Sequence, residues 1–336
     1  MTDEIRSLQL RISKIKEQLA ALDQKRTVLS ALLERLERKL HNSGSPTSEE
    51  SKRTDDPRDF FADKNISLFA SLFRCREDVY AKRRESRAGK SGFTPVCRHE
   101  WARGICAKPR VKYADCSHRE FIPLTPDIFR QHLIGNVTVG VYPLLKDQTC
   151  HFLAVDFDKA SWMEDVAAFK DICNWRGVTH AVERSRSGNG AHVWFFFESP
   201  MSARLARGFG CALLTQTMER RHRLGLDSYD RLFPNQDTLP KGGFGGLIAL
   251  PLQPVPARSG NSLFVDSAFK PYTDQWTFLK SVKKLPGTLV KTIEQEASRK
   301  GKIVGVRLCL NEDTGDQPWN SSQPDGTSGK GLTIHA

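Results

Sequence analysis

Residues 152–158 read Phe-Leu-Ala-Val-Asp-Phe-Asp, four apolar residues running into two aspartates spaced i and i+2. An apolar run of this length, bounded by polar residues, is the pattern of a buried strand. Side chains alternate faces along a strand, so Asp156 and Asp158 point the same way while Phe157 points into the other layer. Two carboxylates on one face at a strand end make a hard-oxygen site suited to Mg²⁺ or Mn²⁺. The plainer alternative is a strand end carrying two solvated aspartates.

Charge says what such a site would meet. Lys plus Arg is 51 against 39 for Asp plus Glu, a net +12 over 336 residues. An acidic pair inside a basic protein points to a polyanion held near a metal, and nucleic acid is the commonest such partner. The length accommodates two domains. No apolar run reaches ~18 residues, and the N-terminus is charged and heptad-patterned, so neither a signal peptide nor a membrane span is expected and the location follows as cytoplasmic. The eight cysteines are scattered. A disulfide framework is therefore not expected, and the three that cluster suggest a metal instead.

The N-terminal segment 1–41 reads as a coiled coil. Ile5, Leu8, Ile12, Ile15, Leu19, Leu22, Leu29, Leu33, Leu36 and Leu40 fill alternating a and d positions, with Arg26 the polar intruder, and self-association is the expected consequence. A Ser/Glu/Pro-rich stretch, 42–65, reads as a flexible linker. From Ile66 the pattern turns helical, with Phe69, Leu72 and Phe73 on the same face, and a basic run over 82–90 is either a solvated surface or a contact to a phosphate backbone. Cys97, Cys106 and Cys116 then fall within twenty residues, amid Gly, Pro and basic residues, and resemble a zinc knuckle. A structural zinc site needs four ligands; Tyr113 stands where a Cys-x-x-Cys partner of Cys116 would be, so either His99 or His118 supplies the fourth or the site is lost.

Thr125 and Pro126 signal a helix start over 125–134. Val137–Leu145 alternates like a strand, and a turn at 146–148 predicts a hairpin into 150–158. Trp162, Val166, Phe169, Ile172 and Cys173 stripe a helix over 161–176, ended by Gly177. Strands at 178–183 and 193–197 flank Arg184-Ser-Arg-Ser187-Gly188-Asn189-Gly190-Ala-His192. Such a turn exposes backbone N–H groups beside Arg side chains, two ways to hold phosphate oxygens, and His192 could reach the same phosphate. A long basic helix over 202–224, capped by Gly225, leads to Asp227, Asp230 and Asp237, any of which could supply a third carboxylate. A Gly-rich loop carrying Lys241, a strand at 247–250 and helical sequence over 274–300 complete the domain. The tail, 311–336, reads as disordered, and its end without a closing element suits a piece of a longer product.

With these motifs together, the chain resembles the archaeo-eukaryotic primase superfamily, and within it the primase domain of TOTE-type conflict systems. The resemblance rests on Val-Asp156-Phe-Asp158, Ser187-Gly-Asn-Gly-Ala-His192 and Tyr-Asp230-Arg-Leu-Phe-Pro-Asn-Gln-Asp237, in that order, together with the Cys97–Cys116 knuckle. It implies an α/β (α+β) fold, an RRM-like antiparallel catalytic sheet packed with helices and joined to a small second α/β unit, with the primase-polymerase domain over 66–310. It implies DNA-templated primer synthesis or extension from nucleoside triphosphates with two Mg²⁺ or Mn²⁺ ions on Asp156, Asp158 and Asp230. Ser187, Gly188, Asn189, Gly190 and His192 would bind the triphosphate and Lys241 would neutralise it. The zinc site would be Cys97, Cys106, Cys116 and His118. Template and primer strands and nucleotides are the implied partners, with a helicase on a separate chain. A catalytically silent nucleic-acid-binding module, a metal-dependent nuclease and an assembly scaffold are the rival readings.

Overall fold

The structure is a computed structural model that describes residues 63–86, 89–221 and 226–301. The chain divides near Asp55, and every described residue lies in the second unit, Asp56–Ala336. The expected coiled coil, most of the linker, Gly225 and the tail lie outside the described residues.

Two antiparallel sheets form the frame. The larger has the order β7-β4-β6-β5-β9, from β4 (Thr149–Asp158), β5 (Ala181–Arg184), β6 (Gly190–Ser202), β7 (Tyr229–Phe233) and β9 (Phe264–Val265). The smaller has the order β2-β1-β3-β8, from β1 (Ala81–Glu85), β2 (Ser91–Pro95), β3 (Val139–Val141) and β8 (Ile248–Ala249). Helices are α1 (Asp63–Leu72), α2 (Pro126–Leu133), α3 (Trp162–Trp175), α4 (Ala203–Arg221), the short α5 (Pro254–Ala257), α6 (Gln275–Ser281) and α7 (Gly287–Arg299).

Strand β4 sits one place in from the edge and is buried through Phe157, which is why it reads as an apolar run rather than an alternating one. Its two faces serve two cores. Leu153, Val155 and Phe157 pack with Val193, Phe195 and Phe197 of β6 under Phe169 of α3, Phe209 of α4 and Ile293 of α7. Phe152 and Ala154, with Trp194 and Phe196 of β6, pack the other way, against Phe69 and Phe73 of α1, Phe129 of α2 and Trp276 of α6. Burying one such side chain contributes about 1.5–3 kcal/mol, so both faces are strongly specified. A one-residue slip of β4 would exchange the two sets and bury its aspartates in the helical layer.

The expected hairpin between 137–145 and 150–158 does not form. The turn exists, with Leu145 N–H donating to Thr149 O at 2.8 Å and Gln148 N–H to Leu145 O at 3.0 Å. The strands it joins belong to different sheets: Gly140 of β3 pairs with Ala81 of β1 and Ala249 of β8, while β4 pairs with β6 and β7. Pro143, which has no N–H for a ladder, lies where the chain leaves one sheet for the other. The basic run at 82–90 begins in a strand, β1, paired with β2 from Ala81↔Pro95 to Glu85↔Ser91. Helix α1 begins at Asp63, inside the stretch expected to be linker. Helix α3 matches its predicted stripe, and Gly177 follows it at φ +66°, as a helix-ending glycine does.

Candidate active site

Strand β4 delivers Asp156 and Asp158 to the end of the large sheet, on the face shared with Phe152 and Ala154. On one side, β7 pairs Asp156 with Arg231 and Phe157 with Tyr229, so Asp230 is the extra residue of a β-bulge. A bulge re-aims the side chain it carries. Oxygens of Asp156, Asp158 and Asp230 all lie within 4.8 Å of one another, and among the described residues this is the single group of three or more acidic, His or Cys ligands so closely spaced. Hard oxygen donors at that spacing fit a divalent cation such as Mg²⁺ or Mn²⁺. Asp156 is buried, and burial followed by the charges of Asp158 and Asp230 pushes its carboxyl well above the usual range. A cation would relieve that repulsion.

On the other side, β6 pairs Asp156 with His192 and Asp158 with Gly190. A Cβ at Gly190 would stand 2.2 Å from Phe157 O and 2.5 Å from Asp158 Oδ1, so glycine alone permits this approach. His192 Nδ1 lies 2.9 Å from Glu183 Oε2, and its Nε2 lies 3.5 Å from Asp156 Oδ1. Glu183, 1% exposed, also accepts from Trp194 Nε1 at 3.1 Å and faces Ser262 Oγ at 3.4 Å. Burial disfavours an imidazolium, but the Glu183 carboxylate overrides it and, with Asp156 and Asp158, raises His192 above the ordinary histidine range. Glu183 is the residue of this cluster to which the sequence motifs gave no role. Its signal was an acid at the end of an apolar run, directly before Arg184.

The β5–β6 turn carries the Ser187–Gly190 segment to the same sheet end. Gly188 N–H donates to Ser185 O at 3.0 Å, the Ser185 and Ser187 hydroxyls lie 3.1 Å apart, and Asn189 N–H donates to Ser187 Oγ at 3.2 Å. Gly188 has φ +80° with Asn261 against it, a position closed to other residues. Arg186 hydrogen-bonds Gln253 beneath the turn. The structure therefore brings together Asp156, Asp158, Asp230, His192 and residues 187–190. Asp237 lies elsewhere, ion-paired with Arg207, and Asp227 is exposed outside the carboxylate group. Lys241 is exposed in a turn closed by Gly243 N–H to Pro240 O at 3.0 Å, and the following Phe244 packs on Phe121 and Tyr142 beside the smaller sheet.

Residues 64–293 match the family model for the TOTE conflict system archaeo-eukaryotic primase domain. The chain belongs to this family. Among solved structures it is similar to the polymerase domain of Mycobacterium tuberculosis ligase D in complex with DNA, at 16% identity and a TM-score of 0.34, covering 77% of this chain and 96% of that one. It is also similar to the archaeo-eukaryotic primase domain of the cyanophage S-2L primase-polymerase, at 12% identity and a TM-score of 0.28, covering 65% and 96%. No curated protein matches the chain.

In this primase-family chain the 97–118 insert closes on itself. Cys97, Cys106, Cys116, His99 and His118 line one cavity of about 20 Å³, room for a single water-sized occupant. Three thiols are chemically suited to zinc. The expected fourth ligand is less so, because His118 is exposed, while His99 Nδ1 sits 2.8 Å from His118 O and its Nε2 3.4 Å from Glu120. Tyr113 instead anchors the insert: its hydroxyl donates to Pro95 O at 2.8 Å, and Lys108 Nζ lies 3.9 Å from its ring centroid. Glu100, buried beside it, pairs with Lys108 at 2.9 Å and with Arg84 of β1. Among the described residues, no helix is long and apolar enough to cross a membrane.

Proposed function

We propose that this protein is a DNA-templated primase-polymerase that joins nucleotides by transfer of a nucleotidyl group from a nucleoside triphosphate to a 3′-hydroxyl, releasing pyrophosphate. The observation that carries the reading is the convergence, at one sheet end, of the three carboxylates with His192 and the Ser187–Gly190 turn. A hydrolytic nuclease needs the carboxylates but gives no reason for a Ser-Gly-Asn-Gly turn and a histidine beside them.

Asp156, Asp158 and Asp230 would hold two Mg²⁺ or Mn²⁺ ions, which supply activation of the attacking hydroxyl and neutralisation of charge on the departing pyrophosphate. Asp156 and Asp158 come from one rigid strand and Asp230 from its neighbour, so the carboxylates are positioned before any ligand arrives. Ser187 and the Gly188–Gly190 backbone would cradle the phosphates. His192, kept protonated at Nδ1 by Glu183, would present Nε2–H to a phosphate oxygen as a charge-assisted donor. Lys241 would add positive charge from the Gly-rich turn. The net +12 suits template and primer strands as partners. A chain of this family would act within a conflict system, self-associating through residues 1–41 and working beside a separate helicase.

The test is nucleotide incorporation on a single-stranded DNA template with Mn²⁺ or Mg²⁺, with and without primer, for wild type beside Asp156→Ala/Asp158→Ala. Template-dependent products that the double variant loses are expected. DNA binding without products, or degradation of labelled DNA in the absence of nucleotides, would overturn the reading.

A further inference from the structure

A second surface of this molecule remains after the carboxylate site is explained. Between the smaller sheet and the 97–118 insert lies a groove of about 600 Å³, within the ~300–1,000 Å³ range of ligand clefts. Phe93, Tyr142 and Phe244 line its interior, and Lys90, Lys112 and Trp101 line its exposed side. Trp101 is 63% exposed. A large aromatic ring left in water on a small insert, with Lys108 Nζ at 5.7 Å from its centroid, is a surface without an internal purpose.

The charges in the groove are not balanced. Glu100, one of its two lining acids, is buried and already committed to Arg84 and Lys108. Glu85, the other, pairs with Arg83 at 3.2 Å. Lys90 and Lys112 are exposed and have no carboxylate partner among the described residues. Two unneutralised cations beside an exposed ring and half-buried aromatics match a chain of negative charges bearing flat apolar faces. Strand β1 carries Arg84 and Glu85 along the groove.

We propose that this groove binds single-stranded nucleic acid, with a base stacked on Trp101 and phosphates neutralised by Lys90 and Lys112. Stacking on Trp101 requires an unpaired base, because in a duplex both faces of each base are occupied by its neighbours. The groove would thus hold template ahead of its entry to the carboxylate end of β4. This deepens the primase-polymerase reading and rests on it for the identity of the strand as template.

The experiment uses the full chain and a fluorescently labelled 20-nucleotide DNA, single-stranded and as a blunt duplex, titrated without nucleotides or divalent metal at several salt concentrations. Trp101→Ala should weaken single-strand binding about tenfold, with Trp101→Phe recovering most of it. Lys90→Gln/Lys112→Gln should lower the slope of log K against log salt by about 1.4, two phosphates at ~0.7 each, which a merely structural defect would not do. Neither change should matter as much for the duplex. Single-strand affinity and salt slope equal to wild type in both variants would overturn the groove, whatever the incorporation assay shows. Loss of binding in these variants from a wild type that incorporates nothing would keep the groove and remove the polymerase.

Discussion

At the scale of single residues, the site is a place where the fold gives up stability. Asp156 is buried with Asp158 and Asp230 oxygens within 4.8 Å, and His192, 3.5 Å from Asp156, and Arg231, 2.7 Å from Asp230, offset the repulsion only in part. Asp156→Asn removes a buried like-charge conflict while keeping the shape. It should raise stability in metal-free buffer by about 1–2 kcal/mol and abolish the extra stabilisation that Mn²⁺ gives wild type. Thermal denaturation with and without Mn²⁺ reads both effects, and a variant less stable than wild type in metal-free buffer would contradict the account. Glu183 is the converse case, a buried acid whose donors justify it. Glu183→Gln leaves one carbonyl oxygen for His192 Nδ1, Trp194 Nε1 and Ser262 Oγ and adds donors with nowhere to go, so urea denaturation should show a loss of about 1–3 kcal/mol. These two residues also mark how far reading the sequence reached. Asp156 and Asp158 were legible because a strand's two-residue period places them together, whereas Asp230 needed the family pattern, since only the bulge in β7 aims it inward. Glu183 was given no role, because an acid followed by Arg184 and Arg186 at a strand end reads as an exposed one until its neighbours are known.

At the scale of elements, β4 and β6 are the pair the site is built on, and Gly190 is where they come closest. Gly190→Ala would put a Cβ 2.2 Å from Phe157 O, a backbone atom that cannot yield without parting the strands. The expected cost is about 3 kcal/mol or more, with loss of the carboxylate geometry. Gly177→Ala is the control: it has φ +66° but nothing within 4 Å, so its cost should be only about 1 kcal/mol of backbone strain. Comparable denaturation midpoints for the two would refute the steric argument. Periodicity made α3 legible, since it buries one stripe, whereas α4 is buried all round from Ala206 to Thr215 and carries no stripe to read. Periodicity misassigned the segment at 137–145 because alternation tells that a strand exists but not which sheet receives it. Strand β1, Ala-Lys-Arg-Arg-Glu, carries no apolar alternation and reads as a charged surface; its pairing comes from β2 and β3 rather than from its own side chains.

Across the whole molecule, one buried polar group that joins a helix to two strands of the smaller sheet makes stability depend on pH. His132, at the end of α2, is fully buried. Its Nδ1 accepts the Val139 N–H at 3.1 Å, at the start of β3, and its Nε2 reaches Pro251 O at 2.8 Å, just past β8. The ring must therefore be neutral, with its proton on Nε2, and burial pushes its pKa down to about 4. In the unfolded chain the ring protonates near the ordinary value of ~6.5. The unfolded state thus binds a proton that the folded state refuses throughout the window between, so His132 should cost stability progressively as pH falls from about 6.5 to about 4, to a total near 3 kcal/mol. Asp78 acts lower: its hydrogen bond to Arg76 holds it down to about 2, so its contribution fades only as pH falls through the ordinary carboxylate range toward that value. Other groups move the curve as well. His151 and His180 are pushed down by burial and add to the same limb, while the raised His192 and Asp156 act in the opposite sense. The difference between wild type and His132→Asn isolates the single ring. Asn is less favourable at pH 7, where it fills the site poorly, but the gap between the two proteins should shrink by about 1.4 kcal/mol for each pH unit below 6.5. Urea midpoints at pH 7, 6, 5 and 4.5 measure that gap, and a constant offset across the series would show that His132 is not the link between acid and the hold of α2 on the smaller sheet.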